Sequence, residues 1–300
     1  MAARSLPVGA RSCKTSGETG VIGLPCCEEE LEVCEEAALS AAEVLRGRKT
    51  GLRPWEISIF SNAEETELLA SVFVRDSRTR GFEELFREWK ERIPALTGVE
   101  LVEDGRAGKP ARAIAQLGET SLRYRAGDVA YRVDHGSFFQ VNRWLIDSLV
   151  DRVTAGRRGE LAWDLFAGVG LFARRLAENF SRVAAVESAP AAVGALKHNL
   201  DGTAGTCVKA ETLAFLKAHK TATPELIVVD PPRAGLGAET TSLLAEVGAP
   251  TLVYVSCDPA TLARDLRALI SSGYSLASVT LADLFPQTFH LESVVELRRS

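Results

Sequence analysis

Residues 161–180 read LAWDLFAGVGLFARRLAENF, and residues 181–200 read SRVAAVESAPAAVGALKHNL. Each segment opens on an apolar run short enough for a buried strand and closes on helical spacing, with a glycine-containing turn at Gly168 and Gly170 in the first and Glu187 at the strand end in the second. Strand alternating with helix predicts an α/β fold built on a parallel sheet, beginning near Glu160. Two further apolar runs extend the pattern: ELIVVD at 225–230, ending in Asp230, and TLVYVS at 251–256, followed at once by Cys257. Ligands of open α/β sheets bind at the carboxyl ends of the strands, so Gly168, Gly170, Glu187, Asp230 and Cys257 are all expected at one edge.

The glycine loop says which kind of ligand. A dinucleotide site wants GxGxxG, whereas this chain has DLFAGVG, with Asp164 ahead of the loop and Glu187 close behind it. Glycines there let a ligand approach the backbone, and an acidic residue after the second strand is placed to accept hydrogen bonds from a ribose. The pattern suits the nucleoside end of S-adenosylmethionine better than a pyrophosphate. After Asp230 come Pro231 and Pro232, which stiffen the backbone into a ledge, and then Arg233. In amino-group methylation the position after the prolines is commonly aromatic, to stack the base, so Arg233 favours a carbon target. Taken alone, Cys257 reads more simply as a small buried thiol, and the paired Phe138 and Phe139 as core aromatics. Gln140 beside them could place an amide over a cofactor or a base.

Upstream, residues 1–25 carry Gly, Ser and Thr with little periodicity and are expected to be loose. A helix is predicted from Glu28 to about Gly47, with Cys34 facing the core beside Leu31 and Ala38. Trp55–Phe60 and Glu67–Val74 read as strands, 81–93 as an amphipathic helix, and Val99–Glu103, Ala113–Gln116, Ser121–Tyr124 and Val129–Val133 as short strands. Together they describe an antiparallel α+β unit over 26–135, expected to recognise substrate, ahead of a domain at 136–300.

Composition sets the outer limits. The 300 residues carry a formal charge of −5, which argues mildly against a protein that coats nucleic acid nonspecifically but leaves room for a local basic groove. Residues 18–43 hold eight acidic side chains and no Lys or Arg. Residues 75–92 hold Arg75, Arg78, Arg80, Arg87, Lys90 and Arg92, interleaved with acids as on an ordinary solvated helix face. The six cysteines form no CxxC pair, so neither a disulfide framework nor a standard zinc site is expected, and the compartment reads as reducing. With neither an apolar leader core nor a run long enough to span a bilayer, the expectation is a cytoplasmic protein without membrane contact.

Six runs in order, SFFQVN at 137–142, DLFAGVGLF at 164–172, VES at 186–188, DPPRAGL at 230–236, SCDPATLARDL at 256–266 and LFPQTFHLE at 284–292, resemble the S-adenosylmethionine-dependent RNA uracil-5-methyltransferases. That group includes enzymes acting on transfer RNA and on large-subunit ribosomal RNA. The resemblance implies a Rossmann-like class I methyltransferase domain with a smaller amino-terminal α+β domain. It makes Cys257 the nucleophile and Glu292 the general base, and assigns Gln140, Phe166, Gly168, Gly170, Glu187, Glu211 and Asp230 to the cofactor. Phe138, Phe139, Asp230 and Arg233 then fall to the substrate, and Arg264 becomes either a phosphate contact or an inert surface arginine. Leu171 departs from the polar residue often found after the glycine loop.

The chemistry explains the residue types. Carbon 5 of uracil is a poor nucleophile until a thiolate adds to carbon 6, and a base must afterwards remove the carbon-5 proton. The target uridine must leave its stack to reach the thiol. Members of this group frequently begin with a small RNA-binding barrel, and many hold an iron–sulfur cluster; this chain has no room for the barrel, and Cys13, Cys26, Cys27 and Cys34 lack the close pair, so no metal or cluster is expected. The resulting expectation is a monomer acting on RNA, 23S ribosomal RNA ahead of transfer RNA, with a truncated non-catalytic RNA-binding homologue as the rival.

Overall fold

The computed structural model describes residues 11–14, 32–47, 52–105, 111–140, 142–285, 288 and 291–299. Its chain divides into two compact units, Met1–Phe138 and Phe139–Ser300.

In the first unit the elements are β1 (Arg11–Lys14), α1 (Glu32–Gly47), β2 (Pro54–Ser61), β3 (Leu68–Val74), α2 (Phe82–Arg92), β4 (Leu96–Glu103), β5 (Arg112–Gly118), β6 (Ser121–Ala126) and β7 (Val129–Asp134). Strands β1 to β5 form one sheet in sequence order, and β6 pairs with β7 in a separate hairpin. Two expectations need correction. Within the amino-terminal stretch expected to be loose, β1 pairs antiparallel with β2, Arg11 opposite Ile59 and Lys14 opposite Glu56. Backbone hydrogen bonding to an edge strand needs no side-chain periodicity, so the pattern gave no warning. The sheet is also not wholly antiparallel, because β3 and β4 run parallel. Helix α2 lies between them, and a helical crossover returns the chain to the starting end of the sheet. Trp89 of α2 is fully buried and its Nε1–H donates to the Ala37 carbonyl of α1 at 3.0 Å, tying the two helices together. Cys34 is buried in the same core with Ala38. Residues 28–31 of the expected first helix, with Cys26 and Cys27, lie outside the described residues.

The second unit contains α3 (Ile146–Thr154), β8 (Gly159–Leu165), α4 (Leu171–Leu176), β9 (Phe180–Glu187), α5 (Pro190–Leu200), β10 (Gly205–Lys209), α6 (Thr212–His219), β11 (Leu226–Val229), α7 (Gly237–Val247), β12 (Thr251–Ser256), α8 (Pro259–Ser271), β13 (Tyr274–Ala282) and β14 (Glu292–Arg299). Its seven strands lie in the order β10-β9-β8-β11-β12-β14-β13. The five strands from β10 to β12 are parallel, and β14 enters antiparallel between β12 and β13. Leu226–Val229 of β11 are all buried, as expected for a central strand covered on both faces. The strand order reverses at β8, so the crevice between the carboxyl ends of β8 and β11 is the topological switch point.

Candidate active site

At the end of β8, Asp164 is fully buried. Its Oδ2 accepts from the Ala173 N–H at 2.8 Å, and its Oδ1 has no hydrogen-bond partner among the described residues. The next residues form the glycine loop. Phe166 has φ 65, costly for an aromatic side chain, and Gly168 and Gly170 have φ 55 and 94. A Cβ on Gly170 would lie 2.7 Å from Leu196 Cδ1 and would face a backbone conformation that L side chains rarely adopt, so glycine suits the loop where it packs against α5. The Gly168 N–H donates to Glu187 Oε2 at 2.8 Å, and the Ser188 and Ala189 N–H groups both donate to Oε1 at 2.7 Å. Three backbone donors thus fix the carboxylate at the end of β9. Leu171 is buried. Glu211 follows β10, whose Lys209 pairs with Glu187, and is an exposed carboxylate at the same sheet edge.

A second group lies at the ends of β11 and β12. The β12–β14 ladder closes with Ser256 opposite Ser293. One residue further along each strand stand Cys257 and Glu292, so the register sets thiol and carboxylate side by side. Glu292 is buried and Cys257 is half-buried. Burial raises the Glu292 carboxyl to about 8, with the negative charge of Asp230 adding to the effect. Asp230 is itself raised to about 7 by burial. Asp164 is raised to about 8, by burial first and then by Asp230 and Glu187. Burial, Glu292 and Asp230 push the Cys257 thiol up, while Arg233 pulls it down. Carboxylates that repel one another away from water hold their protons, so the site as it stands favours neutral acids and a protonated thiol.

The loop after β11 is locked to α8 by a residue that motif reading missed. Asp265, only 2% exposed, accepts from the Leu236 N–H at 2.7 Å and the Tyr254 hydroxyl at 2.9 Å through Oδ2, and from Arg264 Nε at 2.9 Å through Oδ1. Arg264 Nη2 donates to the Ala234 carbonyl at 2.8 Å, and Thr261 Oγ1 donates to the Arg233 carbonyl at 3.1 Å. Arg264 is therefore a structural clamp rather than an idle surface group. Asp258 caps α8 by accepting from the Thr261 N–H at 2.8 Å, which fixes the turn carrying Cys257. A signal for Asp265 was present: Leu262, Asp265 and Leu269 share the buried face of α8, and a charge on an apolar stripe must have partners.

Ahead of α3, Phe139, Gln140 and Asn142 are buried, and Gln140 Oε1 has no hydrogen-bond partner among the described residues. Asn142 Nδ2 donates to the Leu284 carbonyl at 3.1 Å, while its Oδ1 accepts from the N–H groups of Trp144 and Leu145, both at 3.1 Å. Phe138 is half-buried and belongs to the first unit. Among the described residues no group of His, Cys, Asp and Glu is arranged to hold a metal ion, and no helix is long and apolar enough to cross a membrane.

Residues 216–300 match the family model described as tRNA (Uracil-5-)-methyltransferase. That match covers the strands that place Asp230, Cys257 and Glu292. A Streptomyces avermitilis protein described as an uncharacterized RNA methyltransferase is 40% identical over 187 residues, covering 60% of this chain and 43% of that protein. A relative from Caldanaerobacter subterraneus subsp. tengcongensis with the same description is 32% identical over 244 residues, 78% of this chain and 54% of its own length. The chain spans about half the length of these relatives. Among solved structures, Pyrococcus abyssi tRNA (uracil-54, C5)-methyltransferase in complex with S-adenosyl-L-homocysteine superposes with a TM-score of 0.69 at 22% identity, over 87% of this chain and 66% of that one. The second unit has the Rossmann-like methyltransferase fold, and three of the six sequence runs, at 230–236, 256–266 and 284–292, lie within the stretch that matches the family model.

Proposed function

We propose that the protein transfers a methyl group from S-adenosylmethionine to carbon 5 of a uridine in RNA through a covalent bond between Cys257 and carbon 6. The observation that carries this reading is the β12–β14 register, which brings Cys257 and Glu292 together at the ligand edge beside Asp230.

The residues present fit the cofactor. Asp164, Glu187 and Asp230 form a mutually repelling acidic lining with an unpartnered buried oxygen on Asp164, a site that favours a cationic ligand such as a sulfonium bearing an ammonium group. Nothing lies within 4 Å of a Cβ placed on Gly168, so the loop is open on that side. Gln140, Phe166, Gly168, Gly170, Glu187, Glu211 and Asp230 would hold it, with Glu187 on the ribose hydroxyls and Glu211 near the adenine. When bound, it supplies an electrophilic methyl group.

The chain's own residues do the rest. Cys257 Sγ, protonated in the site as it stands, first loses its proton to water; the thiolate then bonds to carbon 6, and the displaced π electrons pass through carbon 5 to the carbonyl oxygen at carbon 4. Carbon 5 of the resulting enolate would take the methyl group, and the pair that bound it to the donor sulfonium would stay on that sulfur, leaving a neutral thioether. Glu292 then accepts the carbon-5 proton, the carbon 5–carbon 6 double bond reforms, and Sγ leaves as thiolate. Raised to about 8, Glu292 holds its proton near neutral pH in the site as it stands, and once ionised beside the bound cation it can accept the carbon-5 proton. Asp230 and Arg233 would contact the uracil, with Phe139 supporting the flipped ring.

The target is proposed as 23S ribosomal RNA. Transfer RNA is the second reading, favoured by the family description and by the named substrate of the Pyrococcus abyssi structure. The protein is taken to act as a cytoplasmic monomer. The test is to incubate it with labelled methyl donor and with unmodified ribosomal or transfer RNA, then map 5-methyluridine. Cys257→Ala should abolish both product and covalent RNA adduct, whereas Glu292→Gln should let the adduct accumulate. A Glu292→Gln variant that turns over normally would remove Glu292 from the role of base.

A further inference from the structure

The turn after Gln140 carries a side chain that the chemistry above leaves unused. Trp144 is 69% exposed, although a tryptophan gains more than most residues from burial. The guanidinium of Arg143 lies over its ring, 5.1 Å from the centroid. A cation stacked on one face orients the indole and leaves the other face to solvent.

This turn is not a loose surface loop. Buried Asn142 accepts from the Trp144 N–H and binds the Leu284 carbonyl. Leu284 lies two residues beyond Ala282, the Cα partner of Glu292. The exposed indole is therefore anchored at the same sheet edge as the catalytic pair, within the second unit.

We propose that Trp144 and Arg143 form a stacking platform for a base of single-stranded RNA next to the target uridine, an assignment that rests on the RNA methyltransferase reading above. An indole face accepts any base, and the guanidinium adds positive charge where a phosphodiester chain must pass beside an acidic site. Extruding the target uridine breaks its stacking with its neighbours, and a platform beside the cleft replaces one of those lost contacts.

Of the four tryptophans, Trp89 and Trp163 are buried and Trp55, in the first unit, is half-buried, so Trp144 is the most exposed and quenching that Trp144→Phe removes belongs to it. A short oligouridylate should quench the emission of the wild-type protein, and Trp144→Phe should remove most of that quench. Trp144→Ala should weaken oligouridylate binding about tenfold, the order expected from losing one base–aromatic stack, and should raise KM for RNA with kcat kept within about twofold. Trp144→Tyr should restore binding. Equal affinity in the wild type and Trp144→Ala would overturn the platform, as would equal quenching by inorganic polyphosphate, which carries charge without bases. If RNA is methylated while Trp144→Ala behaves as wild type, the platform fails and the activity stands. Should oligouridylate quenching depend on Trp144 with no 5-methyluridine formed, the platform stands and the activity fails.

Discussion

Asp164 shows how one residue can work against the fold that holds it. Its carboxyl is raised from the ordinary 3.8 to about 8 because the folded chain buries it beside other acids. A group whose folded pKa is raised contributes stability that is complete below its unfolded pKa and is lost as pH climbs through the folded value. The ligand-free protein should therefore lose stability between about pH 4 and about pH 8. Asp164→Asn keeps an acceptor for the Ala173 N–H and removes the charge. It should raise the melting temperature near pH 8 by a few degrees, since about 1 kcal/mol moves a domain of this size by roughly 2–4 °C. Thermal melts across that pH range check this, and an unchanged pH slope in the variant would place the effect elsewhere. Cys257 and Glu292 stood out in the sequence through the runs SCDPATLARDL and LFPQTFHLE, and the β12–β14 register sets them side by side. Trp144 was not, since nothing in a sequence says whether an aromatic side chain is buried.

The loop from Asp230 to Leu236 and helix α8 behave as one piece. Gly235 has φ 71, and a Cβ there would sit 2.5 Å from Asp265 Oδ2 and 2.7 Å from Arg264 Nη2. Gly235→Ala meets both backbone strain and a collision with the buried carboxylate. It should cost about 1–3 kcal/mol, read as a lower urea midpoint with an unchanged slope. The proposed methylation should fall as well, because the loop carries Asp230 and Arg233, which that proposal places at the uracil. At this scale the strands and helices of the second unit were largely readable, because buried parallel strands make continuous apolar runs. The pairing was less so. That β14 enters between β12 and β13 is a long-range choice with no local signature, and the same holds for the parallel partnership of β3 and β4.

For the molecule as a whole, the two units differ in how much their sequences disclose. The second repeats strand and helix with candidate ligand-binding residues at the ends of several strands. The first builds its sheet from short strands, one of them formed by a stretch without any period. The charge of −5 gave no hint of where the acids gather, yet Asp164, Asp230 and Glu292 all hold raised values between about 7 and about 8. The pocket near pH 7 is thus a store of exchangeable protons. A cationic ligand lowers those values and must expel protons into the buffer on binding. Titration calorimetry with S-adenosylmethionine should give an apparent enthalpy that changes linearly with the ionisation enthalpy of the buffer, with a slope of about one proton released. Identical heats in phosphate and Tris would mean that the pocket ionises before the ligand arrives.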